Sequence, residues 1–164
     1  MATFINTSLT APSVTKDTFT FNNDSNYFVN ATVGDISRNT ITFGDGSRDQ
    51  VTAAGDISQN TITFGNGGDD NVRALGISKS IITFGNGAFD EVIAGGSIDH
   101  NTITAPRISL SSSAAAAATT RLPSAMAAEI RWWSTATAAT TRSPSAMAHV
   151  TCSPPEASIT TQSS

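Results

Sequence analysis

The sequence predicts an all-β chain: a parallel β-solenoid (β-roll or β-helix-like) of about four rungs, followed by a largely disordered tail rich in Ala, Ser and Thr. Three observations predict it. The block GDISRNTITFGDGSRDQVTA, Gly34 to Ala53, recurs as GDISQNTITFGNGGDDNVRA, Gly55 to Ala74, twenty-one residues later. Inside each block apolar residues alternate with Thr, Ser or Asn. After Thr104 the composition changes abruptly. A fixed period of this length marks a solenoid or array, because one repeat cannot bury its apolar face alone and stacked repeats can.

Taken in order, residues 1–33 form an N-terminal segment with a degenerate capping rung. Thr18-Phe19-Thr20-Phe21 matches Thr40-Ile41-Thr42-Phe43, but Asn22, Asn23, Asp24 and Ser25 stand where the glycine turn belongs. Terminal repeats depart from the consensus because they cap the stack. No basic region precedes a short apolar run here, so no classical signal peptide is expected, and no stretch approaches the ~20 apolar residues of a membrane span.

Residues 34–104 are the solenoid proper. The third block runs from Gly76 to Ala94 and lacks the residue matching Asp56; a fourth begins at Gly96 and stops at Thr104. Ile62 and Phe64 share one side of their run and Thr61 and Thr63 the other, while Val72 and Ala74 share a side and Ile57 lies in a third short run. Period two with β-branched residues argues for half-buried strands. Gly65, Gly67 and Gly68 separate the runs with residues that can take positive φ at no steric cost. Stacking like over like predicts columns Ile41/Ile62/Ile82/Ile103, Phe43/Phe64/Phe84, Val51/Val72/Val92 and Asn39/Asn60/Asn101.

Residues 105–164 form the tail. Every Gly, Phe, Asn and Asp of the chain lies before residue 105, and Trp132-Trp133 are the tail's only aromatics. So few large apolar residues cannot offset the entropy of ordering, which predicts disorder apart from a marginal helix over 123–133. The lone Cys152 excludes an intrachain disulfide. Yet TTRLPSAMA at 119–127 and TTRSPSAMA at 140–148 repeat at the solenoid's own period. Codons for the second, read one base earlier, can spell Asn-Thr-Ile-Thr-Phe-Gly-Asn-Gly, the sequence of the rungs. The tail from about Ala105 onward is therefore expected to be further repeats translated out of frame. The fourth rung would then end as an uncapped edge open to self-association.

The glycine turns carry the most specific functional signal. GNGGDDNVR at 65–73 resembles the nonapeptide of the RTX (hemolysin-type calcium-binding) family, Gly-Gly-x-Gly-x-Asp-x-apolar-x, through Gly65, Gly68, Asp70 and Val72. In 44–52, Gly44, Asp49 and Val51 match and Ser47 replaces the third glycine; in 85–93, Gly85, Asp90 and Val92 match and Ala88 replaces it. The resemblance implies a non-catalytic, calcium-binding protein. It further implies a fragment of a longer exported protein, extracellular or on the cell surface, since that family's export does not use an N-terminal signal. Calcium would be held by Asp49, Asp70 and Asp90 with backbone carbonyls, and Asp45 and Asp69 would add charge. One turn per 21-residue coil matches, so calcium would line one edge only. The same carboxylates could instead cap backbone N–H groups.

A second reading uses the outward Thr rows. Thr40 and Thr42, Thr61 and Thr63, and Thr102 and Thr104 would form two rows interrupted at Ile81, similar to the faces of ice-binding proteins. That makes a surface-binding module for ice or a repetitive polymer the alternative, against plain β-propensity on a solvated face. An enzyme is not expected: His100 and His149 stand alone, and no nucleophile–base constellation or phosphate loop occurs. Arg38, Arg48, Arg73 and Lys79 are scattered through an acidic region, which argues against nucleic acid.

Overall fold

Each block of the repeat folds into one coil of three short strands. In the central coil these are Ile57–Ser58, Thr61–Thr63 and Asn71–Ala74. The coil below contributes Ile36–Ser37, Thr40–Thr42 and Gln50–Ala53, and the coil above Ile77–Ser78, Ile81–Thr83 and Glu91–Ala94. Every strand pairs in parallel and in register with its counterpart: Ile41 lies on Ile62 and Ile62 on Ile82, while Val51 lies on Val72 and Val72 on Val92. The computed structural model describes residues 1–112, together with the backbone of strands Ala117–Arg121, Ala128–Trp133, Ala139–Arg142, Ala148–Ser153 and Ile159–Gln162. Among the described residues the chain is an all-β parallel solenoid of about five turns with no helix, hence none long and apolar enough to cross a membrane.

The first two strand rows join one sheet because Ile98–Thr104 runs through their corner as a single strand; the third row forms a second sheet. The core between them is the set of expected columns. Ile41, Ile62, Ile82 and Ile103 are fully buried, as are Val51, Val72 and Val92. Phe21, Phe43, Phe64 and Phe84 stack face over face with centroids 4.7, 4.8 and 4.8 Å apart. That distance is the spacing between neighbouring strands, so backbone pairing and ring stacking are met together. Ala105 follows Thr104 as Phe84 follows Thr83, and there the aromatic column ends.

The stack is longer at both ends than the repeats announce. Thr3–Ile5 pairs with Thr18–Thr20 and Leu9–Ala11 with Phe28–Ala31, so a further partial coil lies below the degenerate one and Phe4 stacks on Phe19 at 4.7 Å. At the other end Ile108–Ser112 pairs with Glu91–Ala94 and buries Ile108 and Leu110. Residues 105–112 are thus solenoid rather than disordered tail. The outer edge of Ile98–Thr104 is not open either, because the backbone of Ala117–Arg121 pairs with it. Ala128–Trp133, inside the segment where a marginal helix was expected, runs as strand backbone. For the rest of the tail, the expectation of disorder at 113–116, 122–127, 134–138, 143–147, 154–158 and 163–164 lies outside the described residues.

The glycines do not turn the corners. No glycine has positive φ; the corners are turned by Arg38, Gln59, Lys79 and His100 on one side and by Arg48, Asp69 and Phe89 on another, with φ between 51° and 66°. The glycines are needed for room instead. A Cβ on Gly65 would run into the carbonyl of Gly44 in the coil below, and one on Gly67 into the carbonyl of Gly46. The axial spacing of the stack sets that demand, not the local turn.

Phe64 sits mid-column with a ring on either side. Phe64→Ala should cost about 3–5 kcal/mol and lower the midpoint of denaturant unfolding followed by circular dichroism. Thr61→Ala, on the outer face of the same coil, should shift it far less.

Candidate metal site: a buried carboxylate column

Asp49, Asp70 and Asp90 each follow a left-handed corner residue, which turns their side chains inward. They are 0%, 1% and 1% exposed. The left-handed residue aims the next N–H along the solenoid axis, and the coil above supplies its acceptor. Tyr27 donates its N–H to Asp49 Oδ1 at 2.9 Å, Asp49 to Asp70 Oδ1 at 2.9 Å, and Asp70 to Asp90 Oδ1 at 3.2 Å. One oxygen of each carboxylate is thereby used. The other, Oδ2, is buried in all three residues and receives no hydrogen bond.

The opposite corner solves the same problem without that remainder. Asn39 donates its N–H to Asn60 Oδ1 at 2.8 Å, and Ser80 to Asn101 Oδ1 at 2.9 Å. The free end of each amide then donates: Asn60 Nδ2 to the carbonyls of Ile36 and Ser58 at 2.9 and 3.0 Å, Asn101 Nδ2 to Ile77 at 2.8 Å. Ser80 fits the column by accepting from Asn60 N–H and donating to the Ser78 carbonyl. An amide is satisfied at both ends and a carboxylate only at one. The Asp column therefore holds an unmet electrostatic demand that the Asn column does not.

The carboxyl groups register it. Burial pushes Asp70 up to about 7 from an ordinary 3.8, with its backbone donor pulling down and the charges of Asp90, Asp49 and Asp69 pushing up. Asp90 is raised to about 6, by burial first and with Asp69 adding. Asp49 is also raised by burial, against the pull of its backbone donors.

Of the five carboxylates suggested by sequence, the structure aligns three, Asp49, Asp70 and Asp90, in one column, one per coil. Asp45 stands in a separate, exposed column: its Oδ1 accepts from Asn66 N–H and Nδ2 at 2.8 and 2.9 Å, and its own N–H donates to Asn23 Oδ1. Asp69 is a corner residue, exposed, with its carboxylate 3.9 Å from Arg48 Nε. Gly44, Gly65 and Gly85 stack on one another, Gly65 donating its N–H to the Gly44 carbonyl and Gly85 to that of Gly65, and a Cβ on Gly68 would press on the Ala88 carbonyl. Among the described residues no group of three or more His, Cys, Asp or Glu is close enough to hold a metal by side chains alone.

The Thr rows are longer than the sequence suggested. One reads Thr3, Thr18, Thr40, Thr61, Ile81, Thr102, the other Ile5, Thr20, Thr42, Thr63, Thr83, Thr104, each in parallel register. Thr18 and Thr20 were legible from the Thr-x-Thr spacing of the degenerate coil; Thr3, which alternates with Ile5, and Thr83, which alternates with Ile81, carry no such spacing. Compared with family models, with curated proteins and with solved structures, the chain matches none.

Raised carboxyl values make the folded state hold protons that the unfolded chain releases near 3.8. Their contribution to stability is full below that value and is lost as pH rises through about 6 to about 7. In chelator-treated buffer the thermal midpoint should thus be several degrees higher at pH 5 than at pH 8. Asp70→Asn should flatten this dependence and raise the midpoint at pH 8; an unchanged profile would show that the column does not carry it.

Proposed function

We propose that this is a non-catalytic calcium-binding repeat protein whose carboxylate column takes the ions. The observation that carries the reading is the run of three buried Oδ2 atoms without a donor, one per coil, at the positions where the RTX nonapeptide has its Asp. An unpaired buried carboxylate costs on the order of several kcal/mol, and a hard cation removes that cost. Calcium takes six to eight oxygens and tolerates irregular geometry, which suits a site made of one carboxylate oxygen per coil plus main-chain carbonyls. Asp49, Asp70 and Asp90 would hold it, the carbonyls of the glycine turns would complete the shell, and Asp45 and Asp69 would add only to the local field.

In this reading the chain is part of a longer exported or surface protein, acting outside the cell where calcium is abundant enough for a weak site. Self-association belongs to the same reading, since any coil that ends the stack presents strand N–H and C=O groups to which a second copy can add.

A second reading is favoured by one observation. Ten of the twelve positions in the two outward rows are Thr and none is charged. Such a face, repeating at strand spacing, suits ice or another periodic polymer.

Two measurements separate the readings. With the full chain at pH 8, millimolar calcium should raise the thermal midpoint over chelator, with an affinity of about 10⁻⁴ to 10⁻³ M, and magnesium should do less. Asp70→Asn should weaken the effect; superimposable melts with calcium and with chelator would rule calcium out. For the Thr face, the chain should depress the freezing point without changing the melting point, and Thr61→Lys with Thr63→Lys should abolish this. Absence of hysteresis at high protein concentration would return the rows to plain solvated strand, with no consequence for the calcium site.

A further inference from the structure

The coil after Asp90 has lost its turn. Register places Ser109 on Glu91 and Leu110 on Val92, so Ile108 occupies the place where the column would put its next Asp, and it is buried there. At the start of the same turn Thr104 lies on Thr83, and Ala105 replaces the next Phe. Six residues separate Phe84 from Glu91, but only three separate Ala105 from Ser109. Past this point the chain keeps the period and abandons the residues. The two TTR segments lie twenty-one apart, and the backbone pairs Thr119 with Thr140.

We propose that beyond Thr104 the gene carries further coils of this solenoid one base out of frame, and that the neighbouring frame continues the carboxylate column above Asp90 with additional sites for a hard divalent cation. The genetic code makes part of this unavoidable. Met126-Ala127 contains GGC across its junction, and so does Met147-Ala148, because every Ala codon begins with GC; this forces Gly at both places. Glu codons end in A or G and Ile codons begin with AT, so Glu129-Ile130 permits only AAT or GAT, Asn or Asp. Trp132-Trp133 forces GTG, Val.

Aligned on the central coil, the forced Gly at 127 falls on Gly67 and the forced Asn or Asp at 130 falls on Asp70. The backbone gives the second placement independently: Ile130 pairs with Ile108, which stands in the column of Asp90. At Ile108 itself the neighbouring frame permits Asp. The turn after Thr104 is three codons short and the chain beyond it is one base out, so a single loss of ten bases in that turn accounts for both.

The frame half of the proposal stands on the sequence and on the register of the second sheet; the cation half rests on the calcium reading above. Reading the nucleotides across codons 100 to 164 decides the first half. The neighbouring frame should stay open, with Asn-Thr-Ile-Thr-Phe-Gly-Asn-Gly ending on each forced Gly and GAT at 130; stop codons or non-repeat residues there would overturn it. For the second half, ten bases are inserted after codon 104 to restore a turn like Phe84–Asp90, and the full product is compared with the full chain by calorimetric calcium titration and circular dichroism. A stronger β signal and more calcium per chain are expected. A stronger β signal with unchanged stoichiometry would overturn the cation half alone. If neither chain binds calcium, the calcium reading falls while the frame remains settled by the nucleotides.

Discussion

Everything in this molecule depends on one constraint: each residue lies directly over its own counterpart at the distance between neighbouring strands. The stacked Phe rings display that distance at 4.7 to 4.8 Å. A residue type is admissible at a position only if it tolerates a copy of itself above and below. Ile, Val and Phe do so by dispersion, and Asn by passing hydrogen bonds along its column. Glycine is admitted where even a methyl group would meet the next coil's carbonyl. A carboxylate is the type that stacks worst, since like charges at this spacing in a dry environment repel strongly.

The two polar corners are a comparison made by the chain itself. Both begin with a left-handed residue, both leave an N–H pointing along the axis, and both answer it with a side-chain oxygen from the adjacent coil. The Asn corner is completed by the amide's own donors. The Asp corner leaves three oxygens open. If capping the N–H were the whole role of position 70, Asn would fill it at lower cost. The chain keeps there a carboxyl group whose second oxygen the architecture leaves unmet.

Much of this was legible in sequence because stacking turns a period into a column. The Ile, Phe, Val and Asn columns could be written down from the spacing alone, and each is buried as a column. What escaped was what the period does not encode. The corner residues Arg38, Gln59, Lys79 and Phe89 share no chemistry, because their φ is imposed by the coil and their side chains face solvent, so nothing marks them as left-handed. The glycines looked like conformational residues because the demand on them comes from the neighbouring coil rather than from the local chain. Asp45 and Asp49 looked like one acidic cluster, but the alternation of facing through the turn sends one outward and the other into the core. Residues 3–11 and 108–112 keep only apolar spacing, such as Leu9 over Val29 and Leu110 over Val92, and no motif.

The site and the scaffold are therefore not separable. In many proteins a ligand sits on a fold that stands without it; here the groups that would meet the ion are also the groups that join one coil to the next. Anything that neutralises the column strengthens the stacking interface at every coil it passes. In a quasi-one-dimensional stack, stability is a sum of such interfaces, so small gains repeated along the axis accumulate. A metal bound by this column would act first on whether the stack holds together, and a binding affinity measured for it would be in part a folding free energy.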